Sequence, residues 1–204
     1  MPRQGNFRKT YYKSLGVHGL GVNATFAELL GEENPPISIL INLAQLVHLA
    51  LEFGVPAMYK PTVWCLVSQI LPLVRDVEAD TWGYARKEWK IMYLDIQAAF
   101  RTYYPNSSSE NDILKLVQFY VDHIRPQLNN PPSAYRWVLD DQQVALGIIN
   151  AVCQVLEDPM EQFWCTLSFL EFIDRGFPSL KPIVEVTELN QVSPQVLETL
   201  VFRT

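Results

Sequence analysis

Apolar residues recur along most of the chain three and four positions apart, as on one face of a helix, and strict apolar–polar alternation is nearly absent. This pattern predicts a short aromatic helix from Asn6 to Ser14, ending near Gly16, and another from Phe26 to Leu30. Pro35-Pro36 introduces the most hydrophobic run, Ile37 to Phe53. There Asn42, Gln45, His48 and Glu52 return every three or four residues and set a polar stripe along a largely buried helix. The turn Gly54-Val55-Pro56 leads to a helix over Lys60 to Leu71, and the longest helix covers Ala79 to Tyr103. Ser109 and Asp112 offer a cap for a helix reaching Ile124. Asp140-Asp141 supply negative charge to the start of a helix reaching Leu156. Glu157-Asp158-Pro159 breaks the chain before a helix from Met160 to about Asp174, and Pro194 to Phe202 gives a last, short one. The fold class expected is all-α, with no internal repeat.

The longest helix has an unusual distribution of large side chains. Trp82, Trp89, Ile96 and Tyr103 are spaced by seven, and Ala85, Met92 and Ala99 fall three residues after the first three of these. Together they make a heptad-like seam, which Tyr93 and Phe100 widen. Tyr84, Ile91 and Ala98 form a neighbouring row, with Leu94 adding breadth. One such helix can serve a core on one side and a partner helix on the other. Trp82, Trp89, Met92, Tyr93, Ile96 and Phe100 are the residues expected to meet the partner.

Composition narrows the choice of function. The 204 residues suffice for one domain with a sizeable core or two small lobes. Charged residues make up 19%, below the roughly 25% usual in soluble domains, and hydrophobic residues 49%. So little charge leaves apolar surface for an interface. A net charge of −6 argues against general binding to nucleic acid or to an anionic membrane, both of which need clustered Lys and Arg. The run from Ile37 to Phe53 is too short and too interrupted to span a bilayer, which takes about 20 mostly apolar residues. The N-terminal MPRQGNFRKTYYK is basic and aromatic without the apolar stretch of a secretory signal. Cys65, Cys153 and Cys165 all fall in apolar helical stretches and read as reduced, buried thiols of a cytoplasmic protein.

Enzymatic motifs are sparse. GVHGLGV has neither a preceding strand nor the GxGxxG or Lys-Ser/Thr of a phosphate loop, so it reads as a turn. His18, His48 and His123 lie far apart, with no spacing for a metal, and His48 fits the polar stripe. No Ser stands in a nucleophile elbow, and no Cys has a basic neighbour to activate it. No cofactor and no metal are expected.

Two stretches carry a family resemblance. The first is GVPAMYKPTVWCLVSQILP, with Gly54 and Pro56 in the turn, Trp64 eight residues after Pro56, and Ile70-Leu71-Pro72 closing the run. It resembles the first signature of the TBC domain, the helical fold of Rab GTPase-activating proteins. In that signature an Arg stands four residues before the Trp, where this chain has Lys60. The second, LEDPMEQFWCTLSFLEFI from Leu156 to Ile173, resembles the family's acidic turn followed by a Phe-Trp helix, here Phe163 and Trp164. NFRKTYYKSLG, RKEWKIMYLDI and the Pro-Pro connection before DDQQ extend the co-linear likeness from about Asn6 to Leu180. On this reading residues 1–53 hold N-terminal short helices, 54–180 the TBC signature region and 181–204 an incomplete C-terminal region. The family's second helical lobe is expected to be missing after about Leu189.

The resemblance also implies where a GTPase-activating site would lie. Catalytic members carry an Arg finger in Ile-x-x-Asp-x-x-Arg and a Gln finger in Tyr-x-Gln-Gly. Phe119, Asp122 and Arg125 match the first with Phe for Ile, and Gln143 stands about where the second falls. Asp141-Gln142-Gln143-Val144, however, lacks both the Tyr and the Gly. Arg125 and Gln143 are only 18 positions apart (143 − 125) with a Pro-Pro loop between, where catalytic members carry an additional helix, and Arg125 precedes Pro126 at a helix end. An active Rab GTPase activator using Arg125 and Gln143 is therefore the alternative, and no catalytic residue is expected. The layout resembles the family's non-catalytic adaptor subunit of the tuberous sclerosis complex. The resemblance implies a hamartin-like coiled-coil scaffold as partner, a small GTPase as a second partner class, and support of GTPase activation on Rheb that restrains TOR signalling. It implies neither nucleic-acid binding nor direct membrane insertion, and a cytoplasmic chain brought to lysosomal or other endomembrane surfaces through the complex.

Overall fold

The computed structural model describes residues 21–32, 37–105, 112–128 and 136–176. The expected helices at Asn6–Ser14 and Pro194–Phe202, the cap at Ser109, His18, most of GVHGLGV and the region 181–204 lie outside the described residues. Two compact units divide the chain within its longest helix, after Trp89.

The first described helix, α1 (Gly21–Leu30), buries Thr25, Phe26, Ala27 and Leu30. It stops where Gly31 takes φ 66°, and Gly31 N–H donates to Glu28 O at 3.1 Å. That φ disfavours any L side chain, and a Cβ there would also press on Ile39 Cγ2 at 3.1 Å, so glycine is required.

The chain next departs from the helix expected over Ile37–Phe53. Ser38–Leu40 is a strand, β1, pairing antiparallel with β2 (Val74–Asp76) in the register Ser38↔Asp76, Ile39↔Arg75, Leu40↔Val74. The β-branched residues Ile37, Ile39 and Ile41 favour extended backbone there. The helix α2 (Leu43–Phe53) begins only at Asn42, whose side chain accepts from Gln45 N–H at 3.1 Å. It buries Leu46 and Leu49 and leaves His48 exposed. A 3₁₀ turn, Ala57–Tyr59, puts the Tyr59 ring against Phe26, centroids 6.0 Å apart. Pro61 then sits in the first turn of α3 (Lys60–Val67), where a missing N–H costs nothing.

The helix α3 ends at Val67, short of Leu71, because Gln69 adopts φ 61° and Ile70 N–H turns back to Cys65 O at 2.9 Å. Its buried residues are Val63, Cys65 and Leu66. At about 100° per residue, Trp64 points away from the middle of that face. It is half-buried, and Lys60, one turn earlier on the same side, is exposed. Trp64 therefore does not belong to the core.

The long helix α4 (Thr81–Tyr103) starts at Asp80, whose carboxylate accepts from Gly83 N–H at 3.2 Å. A Cβ at Gly83 would collide with that carboxylate, which explains a glycine in a first helical turn. In the first unit Trp82 Nε1 donates to Pro72 O at 3.0 Å and Trp89 Nε1 to Ile70 O at 2.9 Å, so both indoles are tied to the chain that precedes α4. In the second unit the helix buries Tyr93, Ile96, Gln97 and Phe100.

The second unit continues with α5 (Ile113–Phe119), capped by Asp112, whose carboxylate accepts from Lys115 N–H at 3.4 Å. It runs on as a π turn, Tyr120–Ile124, and a 3₁₀ turn, Arg125–Leu128. A short α6 (Arg136–Asp140) precedes α7 (Gln142–Cys153), whose cap Asp141 accepts from Gln143 N–H and Val144 N–H at 3.0 and 3.2 Å. The last described helix, α8 (Pro159–Gly176), opens with Asp158 accepting from Met160 N–H at 2.8 Å. It packs on α5 and α7 with Met160, Phe163, Thr166, Leu167 and Leu170 buried. Cys65 and Cys165 are buried as expected, but Cys153 is exposed near the end of α7. No described helix is long and apolar enough to cross a membrane.

These placements separate the two signature aromatics by their burial. Phe163→Ala, at a fully buried ring, is expected to cost about 3–5 kcal/mol in urea unfolding, and Trp64→Ala distinctly less. Equal losses would show that Trp64 does sit in the core.

Candidate functional site

The candidate Arg finger occupies the join between two irregular turns. Phe119 closes α5, Asp122 lies in the π turn, and Arg125 opens the 3₁₀ turn. The i→i+5 bonding of a π turn widens the helix, so the three motif residues are not stacked as they would be on an ideal α-helix. Phe119 is buried and packs edge-on against Phe100, centroids 5.4 Å apart.

Arg125 is turned inward. Its side chain is only 13% exposed, and Nη1 lies 3.4 Å from Glu171 Oε1 on α8. The neighbouring Tyr120 reports the same environment. Burial raises its hydroxyl pKa above 10.0, with the Arg125 charge pulling it down and the Glu171 charge pushing it up. The Tyr120 ring is also edge-on to Phe163 at 6.0 Å and to Trp164 at 5.9 Å. An arginine that must reach a nucleotide in another protein would have to leave its own largely buried position and this half-exposed carboxylate. Breaking such a pair strands a charge, so the geometry favours Arg125 staying as a tie between the α5 extension and α8.

Gln143 lies elsewhere in the arrangement. It is exposed in the first turn of α7, where its backbone N–H, not its side chain, serves the Asp141 cap. The sequence places Arg125 and Gln143 close along the chain, but the structure engages them in different tasks. Glu171 is the residue that sequence reasoning missed. Nothing local links it to Arg125; the pairing follows only once α8 lies against α5.

A second feature is the aromatic cluster at the end of α4. His123 stacks at a tilt on Tyr103, centroids 4.4 Å apart, and on Phe119 at 5.3 Å. Open clefts of about 430 and 560 Å³ lie beside it, sharing Phe119 and His123 in their walls.

The expected partner surface on α4 needs correction. Tyr93, Ile96 and Phe100 are buried within their own unit, with the Tyr93 ring 5.5 Å from Phe163. Trp82 and Trp89 are half-buried with their indole N–H groups already bonded to backbone carbonyls. The heptad row Trp82, Trp89, Ile96 therefore faces inward. Of the six residues expected to bind a partner, only Met92 is exposed. The free face is the neighbouring row, turned about 160° from Tyr93, with Ile91 54% exposed and Leu94 and Ala98 beside it.

Comparison with known proteins agrees with the motif reading. The chain is similar to TBC1 domain family member 7 of Homo sapiens, 23% identical over 180 residues that cover 88% of this chain and 57% of that protein. It is likewise similar to TBC1 domain family member 7 of Xenopus tropicalis, 23% identical over 87% of this chain and 56% of the relative. The Danio rerio protein of the same name is 25% identical over 85% of this chain and 55% of the relative. The chain thus spans a little over half the length of the curated relatives it matches. No family model and no solved structure matches it.

The Arg125–Glu171 tie can be checked through Tyr120. Glu171→Gln removes a negative neighbour and is expected to lower the Tyr120 pKa, whereas Arg125→Ala is expected to raise it further above 10.0. Tyrosinate absorbance, with Tyr120→Phe identifying the transition, reads both. A Tyr120 transition unmoved in both variants would mean that the tie is absent in solution.

Proposed function

We propose that this chain, a TBC-domain protein, is a non-catalytic adaptor that binds a hamartin-like coiled-coil scaffold and so supports a GTPase-activating complex acting on Rheb to restrain TOR signalling. The observation that carries this reading is the inward, ion-paired placement of Arg125. A trans-acting arginine finger contributes on the order of 10³ to 10⁵ in rate and has to be presented to the partner's nucleotide. Here the only match to that finger is spent on Glu171, and the residue at the second finger's place sits in an unlike motif. The aromatic and glycine of the family's glutamine motif are replaced by Asp141 and Val144.

The adaptor half of the reading rests on the outer face of α4. Ile91, Leu94 and Ala98 follow the three-and-four spacing of a coiled-coil seam, and Asp95 and Arg101, both exposed, flank it. Met92, also exposed, borders the row. Apolar positions of this kind, rimmed by charge, suit a scaffold helix laid alongside. Recruitment to a lysosomal or other endomembrane surface would follow from the scaffold, since the chain carries no helix of its own among the described residues that could cross a bilayer.

Two measurements test the two halves. Single-turnover GTP hydrolysis with a panel of Rab proteins and Rheb is expected to show no acceleration by the chain alone. Stimulation above about tenfold that disappears in Arg125→Ala would establish the catalytic alternative. In a titration with the coiled-coil segment, Ile91→Asp and Leu94→Asp are expected to weaken binding at least about tenfold with helicity retained, because each places a carboxylate in the interface core. Trp89→Asp, by contrast, is expected to lower the melting temperature. Full binding by both outer-face variants would remove α4 from the interface.

A further inference from the structure

The small ribbon in the first unit has two unlike edges. The bonds from Ile41 N–H to Leu73 O at 2.8 Å and from Val77 N–H to Ile37 O at 3.0 Å fix the hydrogen-bonded pairs of the ladder. The pairs between them, Ser38↔Asp76 and Leu40↔Val74, are then the ones whose backbone N–H and C=O groups point outward from the ribbon. On β2 two of those outward groups are plugged. The Thr81 hydroxyl donates to Val74 O at 3.1 Å and accepts from Asp76 N–H at 3.0 Å, so one side chain satisfies both. On β1 the corresponding groups of Ser38 and Leu40 meet no described residue.

The same strand, though only three residues long, carries no charge or proline to guard its edge. Ile37-Ser38-Ile39-Leu40-Ile41 as a whole carries none either, and it is rich in β-branched residues. Leu40 is 72% exposed, and its cross-strand partner Val74 is exposed on the same face. Ile37 and Val77 are exposed at the end of the ribbon. Arg75, the only cation in β2, is drawn to the opposite face, where Nη1 donates to Leu30 O at 2.6 Å and its guanidinium lies 4.6 Å from the Trp82 ring centroid.

We propose that the outer edge of β1 is a self-association surface, which pairs antiparallel with β1 of a second copy of this chain. A two-fold axis through Ile39 sets Ser38 opposite Leu40 of the other copy, and the reverse. Each such pair exchanges both backbone bonds, so the outward groups of both strands are satisfied at once. Self-pairing brings no like charges together, because the segment has none, and it places Leu40 and Val74 of each copy on one continuous face of a four-stranded sheet. The Thr81 side chain on the β2 edge occupies the Val74 C=O and the Asp76 N–H and hinders a further strand from adding there, which favours closure at two copies. The surface lies on the ribbon and is separate from the α4 face assigned to the coiled coil.

Sedimentation velocity of the full chain from micromolar to millimolar concentration, with amide exchange at the same concentrations, tests this. The expected result is a saturable monomer–dimer equilibrium in which the Ser38 and Leu40 amides become protected as dimer forms. Leu40→Lys sets two cations about the two-fold axis, and its side chain is already in water. It is expected to weaken association about tenfold or more without lowering the melting temperature. Thr81→Val exposes the second edge and is expected to turn the closed dimer into open-ended association. A chain that stays monomeric throughout overturns the proposal. So does a dimer that survives Leu40→Lys with the Ser38 and Leu40 amides unprotected, and so does unsaturable aggregation of the parent.

Discussion

The second unit depends on the rings that α4 drives between α5 and α8. Tyr93 meets Phe163 at 5.5 Å and Phe100 meets Phe119 at 5.4 Å, all four side chains buried. Aromatic pairs at such separations add to the gain from the large apolar area they remove from water. They also fix the rotation of α4 about its own axis. With Tyr93, Ile96 and Phe100 turned inward, helical geometry leaves Ile91, Leu94 and Ala98 no place but the outside. The apolar outer row is therefore a consequence of the inner one.

The same packing determines what Arg125 can do. Because Phe119 is held by Phe100, the turn that follows α5 delivers Arg125 against α8, where Glu171 waits one face over from the buried Leu170. The pair links two helices whose apolar contact already holds them together. Its main effect is on reach, since the guanidinium is mostly buried and already engaged with Glu171.

Much of this was legible in the sequence. The Phe-Trp helix, its acidic turn and the extent of α4 follow from local signals that the structure repeats with shifts of one or two residues, whereas the helix expected to reach Leu156 ends at Cys153. Three features were not legible, each because a distant partner decides it. The strand Ser38–Leu40 lies inside a run whose apolar spacing suits a helix; β-branching and the backbone of Leu73 and Val77 overrule that spacing. Trp64, in the family's Arg-Trp signature position, lies outside the core because Val63, Cys65 and Leu66 fill the inward arc of α3. In α4 both rows have heptad spacing, and periodicity alone cannot say which row a domain keeps for itself. The indole bonds of Trp82 and Trp89 to Pro72 and Ile70 carbonyls, invisible to any pattern, belong to the answer.

α4 keeps its aromatic row for the fold, and on the proposed reading the row of Ile91 is what it offers to a scaffold helix. Methyl NMR of the chain, labelled at isoleucine and methionine and titrated with the hamartin-type coiled coil, reads the two faces separately. The account expects the Ile91 and Met92 methyl signals to move and saturate together while that of Ile96, on the same helix, stays in place. Saturating binding that leaves Ile91 and Met92 unchanged, or that moves Ile96 first, would contradict it.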